Sequence, residues 1–78
     1  MIQLKIKAYA ELQGYNPEKG EEFSFEVKEG SSVKNLMDSL RIPNHRVMLI
    51  LRNGQKANEE YLLAEGDSVF FYPVIGGG

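Results

Sequence analysis

The chain has 78 residues, of which 42% are hydrophobic, and its nine basic and eleven acidic residues give a net charge of −2. This length predicts one domain with a small core, and the absence of cysteine excludes disulfides, cysteine-ligated zinc and thiol catalysis. The charges are well mixed and no apolar run approaches the length of a membrane span. We therefore expect a cytoplasmic protein with neither a nucleic-acid partner nor a membrane partner.

Two strands are predicted in the first third of the chain. Ile2–Ala8 and Phe23–Val27 each alternate apolar with polar residues, which is the pattern of a strand with one buried face. The glutamates of the second strand are expected to face the lysines of the first across an antiparallel pair. Segment 10–22 is polar and rich in turn residues, so it is predicted to be a loop. Leu12 and Tyr15 are expected to pin this loop to the body of the domain.

One helix is predicted in the middle of the chain. Ser31 or Ser32 can cap it, because a serine oxygen accepts from the first free amides of a helix. The apolar residues of Val33–Leu40 recur at i, i+3, i+4 and i+7, which places them on one helical face. Arg41 in the last turn suits the helix dipole, and Pro43 prevents continuation.

A hairpin follows the helix. The continuous apolar run 47–51 is consistent with a buried central strand, although a run this short does not exclude a buried helix. Asn53 and Gly54 form the strongest hairpin signal in the sequence and favour a type I′ turn. A short return strand is predicted at about 55–57.

The last part of the domain is predicted to hold one helical turn and one strand. Segment 59–63 is interpreted as the helical turn, with Tyr61 and its two following leucines tucked inward. Segment 68–72 is strand-like and stops at Pro73, because proline cannot donate to a sheet ladder. The resulting order is strand, strand, helix, strand, short strand, strand. It predicts an α+β roll in which one helix crosses a small mixed sheet of four to five strands.

The closing residues, Pro-Val-Ile-Gly-Gly-Gly at 73–78, are predicted to form a tail rather than part of the core. We expect a domain at 1–73 and a flexible glycine tail at 74–78, because glycines offer no side chain to pack and maximal backbone freedom. A glycine tail can enter a channel in which any Cβ would clash. The carboxylate of Gly78 is a poor electrophile until a leaving group such as AMP is attached. The alternative interpretation is an inert terminal segment.

The segment 63–77, Leu-Ala-Glu-Gly-Asp-Ser-Val-Phe-Phe-Tyr-Pro-Val-Ile-Gly-Gly, carries a resemblance to a known family. Together with the strand-strand-helix-strand-strand layout, it resembles the ubiquitin-like β-grasp sulfur carriers of the MoaD/ThiS family. The pattern is closest to MoaD, the small subunit of molybdopterin synthase, because the excursion before Phe23 is similarly long. Two departures stand out: a single proline precedes Val74 where MoaD usually has two, and a third glycine follows the usual pair.

The resemblance implies a chemistry in which the chain is a carrier and not an enzyme. A MoeB/ThiF-like adenylyltransferase would adenylate the terminal carboxylate with ATP and magnesium, and a sulfur donor would displace AMP to leave a thiocarboxylate. The tail would then enter a MoaE-like large subunit and give its sulfur to the molybdopterin precursor. Gly78 would be the reactive end, or Gly77 if the last residue is not native. The predicted partner-binding residues are Tyr72, Pro73, Val74, Ile75, Gly76 and Gly77.

Other functions remain open on the sequence. A ThiS-like sulfur donor would serve a thiazole synthase. A ubiquitin-like modifier would ligate its terminal glycine to lysine amines of other proteins. In a plain β-grasp interaction domain the tail would have no function. No bound cofactor and no metal site are expected, because His45 is the only histidine and is predicted to be a solvated loop residue.

Overall fold

The computed structural model describes residues 1–9, 12 and 22–74. Five strands and one α-helix are present in this part of the chain. In order they are β1 (Ile2–Ala8), β2 (Phe23–Val27), α1 (Val33–Leu40), a 3-10 turn at Asn44–Arg46, β3 (Val47–Arg52), β4 (Gln55–Lys56) and β5 (Ser68–Pro73). The predicted strands and the predicted helix are confirmed, with shifts of one residue at the ends of β3, β4 and β5.

The strands form one mixed sheet in the order β2-β1-β5-β3-β4. β1 and β5 are parallel neighbours at its centre, and every other pair is antiparallel. The helix packs on one face of this sheet through Val33, Leu36 and Met37, which share a buried cluster with the strands. The predicted α+β β-grasp roll is therefore confirmed.

The core lies between α1 and the sheet. Phe71 and Leu36 are completely buried within it, and burying side chains of this size stabilises the fold by about 1.5–3 kcal/mol each. Leu12 is also buried, so the prediction that it pins the first loop is confirmed. Tyr15, the second predicted pin, lies outside the described residues.

Helix α1 begins and ends at well-defined caps. The Ser32 hydroxyl accepts from the Asn35 amide at 3.1 Å, and the Asn35 side-chain oxygen accepts from the Ser32 amide at 2.9 Å. Arg41 is the C-cap with φ 62°, so it follows the last turn rather than lying in it as predicted. In the described part of the chain, no helix is long and apolar enough to cross a membrane.

The hairpin between β3 and β4 has the predicted turn. Asn53 and Gly54 both have positive φ, 51° and 83°, as a type I′ turn requires. The return strand is shorter than predicted, although the Ala57 amide still donates to the Ile50 carbonyl at 2.9 Å.

Segment 59–63 is not helical, and that prediction was wrong. The Asn58 side-chain oxygen accepts from the Glu60 amide at 2.9 Å, which stabilises a local turn. The Leu63 amide then donates to the Ser31 carbonyl at 2.9 Å. After the turn, residues 61–63 pair with the start of α1, so tertiary pairing overrides the local helical pattern.

The side chains of this segment also differ from the prediction. Leu63 is buried, but Tyr61 is 37% exposed and Leu62 is 63% exposed. The Arg52 guanidinium lies 4.5 Å from the centre of the Tyr61 ring, which keeps that ring at the surface.

The predicted facing of glutamates and lysines between β1 and β2 is wrong for Lys5 and Glu26, whereas the register, continued by one residue beyond β2, places Glu22 opposite Lys7. Lys5 lies opposite Ser24, and Glu26 lies opposite Gln3. The register is set by Leu4 pairing with Phe25 on the core face, because a shift by one residue would place the apolar residues of the two strands on opposite faces of the sheet.

Candidate functional site

The root of the predicted tail is held in the sheet one residue further than expected. Pro73 is the last residue of β5, lies opposite Val47 and is buried. The next amide, that of Val74, donates to the Arg46 carbonyl at 3.0 Å. The strand therefore includes Pro73 and ends with it, one residue later than predicted, because the missing N–H of proline falls where the ladder tolerates it. Pro73 is buried in the described fold, and its predicted partner-binding role stays a prediction.

Val74 is the last described residue, and its side chain is 48% exposed. The remaining predicted site residues, Ile75, Gly76, Gly77 and Gly78, lie outside the described residues. Their predicted roles in partner binding and adenylation stay predictions, as does the boundary between a domain at 1–73 and a tail at 74–78.

The face of the sheet that points away from α1 carries an apolar surface. Phe70 and Tyr72 alternate along β5 with buried Val69 and Phe71, so they lie on the face opposite the helix. Residues paired across strands share a face, which adds Leu49 and Leu51 of β3 to this surface, and Tyr9, directly after β1, joins it through its ring contacts. We call it the aromatic patch; its members are Tyr9, Leu49, Leu51, Phe70 and Tyr72, all of them half-buried.

Ring contacts organise the aromatic patch around Tyr9. The Tyr9 and Tyr72 rings are stacked, with centroids 4.5 Å apart and an angle of 6° between their planes. Phe70 meets Tyr9 edge-on at 5.8 Å, and the Lys7 ammonium lies 4.9 Å from the Tyr9 centroid. These contacts fix Tyr72 in one orientation two residues before the last described residue. A rigid aromatic side chain of this kind is a common anchor in protein interfaces.

The Tyr72 hydroxyl is neutral over the physiological range. Burial raises the pKa of Tyr72, and the hydrogen bond and charge interaction with Tyr9 raise it further, while Lys7 lowers it by less. The hydroxyl can therefore donate a hydrogen bond to a partner but cannot act as a base.

Asp67 lies at the opposite end of β5 and has a structural role. One carboxylate oxygen accepts from Arg52 Nε at 3.2 Å and from the Ala64 amide at 2.8 Å, and the other accepts from Asn53 Nδ2 at 3.0 Å. Burial by itself raises the pKa of Asp67, but these hydrogen bonds and the Arg52 charge together lower it below its usual value of 3.8. The carboxylate is fully engaged in joining the hairpin to β5, so it is not available for proton transfer.

The described residues contain few other candidates for chemistry. They include no group of three or more histidines and acids that could hold a metal ion, and no buried side-chain nitrogen or oxygen that lacks a hydrogen-bond partner. His45 is exposed in the 3-10 turn, as predicted.

The sequence analysis found Tyr72 but missed the other four members of the aromatic patch. A signal was present, because the runs 47–51 and 69–72 are apolar at consecutive positions. Consecutive residues of a strand point to opposite faces, and a single helix covers only one face of a sheet. Two such runs in a fold with one helix therefore indicate an apolar surface on the open face.

Solved structures of several small ubiquitin-like proteins resemble this fold. Small archaeal modifier protein 1 of H. volcanii superposes with a TM-score of 0.76 at 19% identity, over 96% of this chain and 100% of that one. A Pyrococcus furiosus protein described as molybdopterin converting factor, subunit 1, gives a TM-score of 0.74 at 19% identity, over 96% and 100% of the two chains.

A third similar structure is the complex of subunits 1 and 2 of molybdopterin-converting factor from Helicobacter pylori, with a TM-score of 0.63 at 18% identity over 99% and 100% of the chains. At these identities the likeness establishes the fold, which is the ubiquitin-like β-grasp. No curated protein sequence gives a significant match. Residues 1–76 match the family described as Mut7-C ubiquitin. Because this match spans nearly the whole chain, the protein belongs to the Mut7-C ubiquitin family.

Proposed function

We propose that the chain is a sulfur carrier whose C-terminal glycine is adenylated and converted to a thiocarboxylate, which donates sulfur for molybdopterin synthesis. The observation that carries the proposal is the placement of the aromatic patch beside the end of β5. Tyr72 is fixed by its stack on Tyr9, and the Val-Ile-Gly-Gly-Gly segment begins two residues later. A partner that docks on the patch receives the glycine segment at a set distance from its own surface.

Formation of the thiocarboxylate requires two steps that other proteins carry out. The carboxylate oxygen of Gly78, or of Gly77 if the last residue is not native, attacks the α-phosphorus of ATP and releases pyrophosphate. A sulfur nucleophile then attacks the acyl carbon of the adenylate, and AMP leaves with the bonding electron pair. The resulting thiocarboxylate carries sulfur without any cysteine of the chain, which has none. Magnesium and ATP belong to the activating enzyme, for which a MoeB/ThiF-like adenylyltransferase is the expected class.

The acceptor assignment rests on similarity to molybdopterin-converting factor subunit 1. The solved complex of subunits 1 and 2 from H. pylori contains a chain of this fold. By analogy we propose a MoaE-like large subunit as the partner that receives the sulfur. A ThiS-like role, with a thiazole synthase as the partner, uses the same carrier chemistry and a different acceptor. The genomic neighbour of the coding sequence, a large synthase subunit or a thiazole synthase, distinguishes the two.

Intact-mass spectrometry tests the carrier chemistry directly. The protein is incubated with the adenylyltransferase of the same organism, ATP, magnesium and a sulfide source. We expect a mass increase equal to the exchange of one oxygen for sulfur, located by fragmentation on the last glycine. A protein that keeps its mass under these conditions, while a known carrier is converted by the same enzyme, contradicts the proposal.

A ubiquitin-like modifier is the second candidate. The resemblance to small archaeal modifier protein 1 favours it, because the two folds superpose over nearly their whole lengths. In that case the adenylate is attacked by lysine amines of other proteins. The expected products are high-mass conjugates that contain isopeptide links to the last glycine, found in cells expressing the tagged chain. Conjugates without any thiocarboxylate would replace the sulfur-carrier proposal with this one.

A further inference from the structure

Asn53 is the only asparagine of the chain that is followed by glycine. The backbone nitrogen of a following glycine can attack the side-chain amide of asparagine, because no Cβ obstructs the approach. A bond then forms between the Gly54 nitrogen and Asn53 Cγ, and the side-chain nitrogen leaves as ammonia with the proton of the Gly54 amide. Water opens the resulting succinimide ring at either carbonyl, which leaves aspartate or isoaspartate at position 53. The reaction needs no partner other than water.

The tip of the β3–β4 hairpin leaves this pair of residues open to solvent. Asn53 and Gly54 are both exposed. A Cβ built on Gly54 would meet no atom within 4 Å other than those of its chain neighbours, so the described part of the chain does not crowd this side of the turn. Steric shielding therefore does not distinguish the folded turn from an unfolded chain at this pair.

Hydrogen bonds hold the Asn53 side chain in the folded protein. Its Nδ2 donates to Asp67 Oδ1 at 3.0 Å, and its Oδ1 accepts from the Ser68 amide at 2.8 Å. Both polar atoms of the carboxamide are thus held by residues at the start of β5. Asp67 is buried, and a hydrogen bond to an ionised acceptor is stronger than one between neutral groups.

Ring closure requires the carboxamide to turn about its side-chain bonds until one face of Cγ meets the Gly54 nitrogen. That turn would break both hydrogen bonds and leave buried Asp67 without one of its donors. We propose that Asn53 is a deamidation site that the folded hairpin keeps unreactive through the hydrogen bonds of Asn53 with Asp67 and Ser68. The reaction then occurs only in molecules in which the hairpin has opened from β5.

Deamidation would weaken the same joint between the hairpin and β5. An aspartate at position 53 would place a second carboxylate against Asp67 in place of a donor, and like charges at this separation repel. Isoaspartate would also add a main-chain atom to a two-residue turn whose type I′ geometry depends on the positive φ of Asn53 and Gly54. The modification should therefore separate the hairpin from β5 and make further opening easier.

Site-resolved peptide mapping of the full chain measures the reaction at mildly alkaline pH. The folded protein is compared with the same protein unfolded in urea after equal incubation. We expect Asn53 to deamidate about tenfold or more slowly in the folded protein, because opening must break a hydrogen bond to a charged acceptor. Equal or faster deamidation in the folded protein would overturn the inference.

Two variants separate opening of the hairpin from unfolding of the whole domain. Asp67→Ala removes the acceptor of Asn53 Nδ2 and should raise the rate at Asn53 in the folded protein about tenfold. Val33→Ala destabilises the core under α1 and leaves these hydrogen bonds in place, so its rate should stay closer to wild type. Equal acceleration in both variants would overturn the inference. If Asp67→Ala does not fold, the comparison of folded with urea-unfolded wild type still decides.

The effect of the modification on the joint is tested with Asn53→Asp. This variant should lower the melting temperature by about 4 °C or more, the shift that loss of one such interaction causes in a domain of this size. Asn44→Asp makes the same chemical change in the exposed 3-10 turn and should stay close to wild type. Equal melting temperatures of the two variants would overturn the inference that deamidation loosens the hairpin.

Discussion

Asp67 is the only buried charged residue in the described part of the chain. Its hydrogen bonds with Arg52 and Asn53 join the β3–β4 hairpin to the start of β5, and the third, from the Ala64 amide, holds the turn before β5. Replacing Asp67 with asparagine leaves one oxygen for three donors and turns an amide towards another donor. We expect Asp67→Asn to lower the free energy of unfolding by about 1–3 kcal/mol at neutral pH. Urea denaturation measures this loss, and Asp38→Asn on the exposed helix surface is the control.

The ionisation of Asp67 should also make the free energy of unfolding depend on pH. The folded pKa of Asp67 lies below the usual value of 3.8, so the carboxylate stabilises the fold above the unfolded pKa. That stabilisation is lost as the pH falls through the folded pKa. The difference in unfolding free energy between wild type and Asp67→Asn should therefore shrink from neutral pH towards about pH 3. A difference that grows on acidification would contradict the lowered pKa.

Tyr72 is the residue at which the aromatic patch meets the tail. Tyr72→Ala removes the stacked ring and should weaken binding to the adenylyltransferase by about 2 kcal/mol or more, which is roughly 30-fold in Kd. Tyr72→Phe keeps the ring and should stay closer to wild type. Titration calorimetry compares the two variants. An equal loss in both would mean that the hydroxyl, and not the ring, makes the decisive contact.

At the scale of elements, two of the described residues other than glycine adopt positive φ, and of these two only Asn53 forms side-chain hydrogen bonds in the described structure. Asn53 donates to Asp67 and accepts from the Ser68 amide at 2.8 Å, whereas no described contact involves the side chain of Arg41 at the helix C-cap. Arg41→Gly should therefore raise the free energy of unfolding by up to about 1 kcal/mol, because glycine accepts this conformation without strain. Asn53→Gly should lower it. Thermal melts of both variants measure the two signs, and a loss of stability in Arg41→Gly would show that its side chain stabilises the fold.

The periodicity of apolar residues predicts those strands and helices whose conformation depends only on their own residues. Alternation in Ile2–Ala8 and the apolar stripe of Val33–Leu40 each reflect one buried face, so the sequence alone defines them. The prediction for segment 59–63 failed because its conformation depends on a hydrogen bond from the Leu63 amide to the Ser31 carbonyl, more than thirty residues earlier in the chain. The facing of Lys5 failed for a related reason: register is decided by the core pair Leu4–Phe25 and not by charge.

At the scale of the whole molecule, the site is less predictable than the fold. The parallel pairing of β1 with β5 brings Tyr9 and Tyr72 together from positions more than sixty residues apart. No local pattern contains that contact, so the sequence could nominate Tyr72 and the glycine tail but not the surface beside them.

If the domain is stable by itself and the tail carries the reactive group, removing the last glycines should affect adenylation and not stability. The described core is complete without the tail, since its last member in the chain is the fully buried Phe71. Deleting Gly77 and Gly78 should therefore abolish adenylation and leave the melting temperature nearly unchanged. In a domain of this size a loss of 1 kcal/mol lowers the melting temperature by roughly 4–8 °C, so even a modest structural role would be visible. Thermal melts and ATP–pyrophosphate exchange on the same preparations measure both properties.

Leu36→Ala, which opens a cavity under the helix, is the opposite control: it should lower the melting temperature strongly, and the fraction that remains folded should still be adenylated. A truncated chain that melts far below wild type would mean that the glycines belong to the fold, and a truncated chain that is still adenylated would place the reactive end elsewhere.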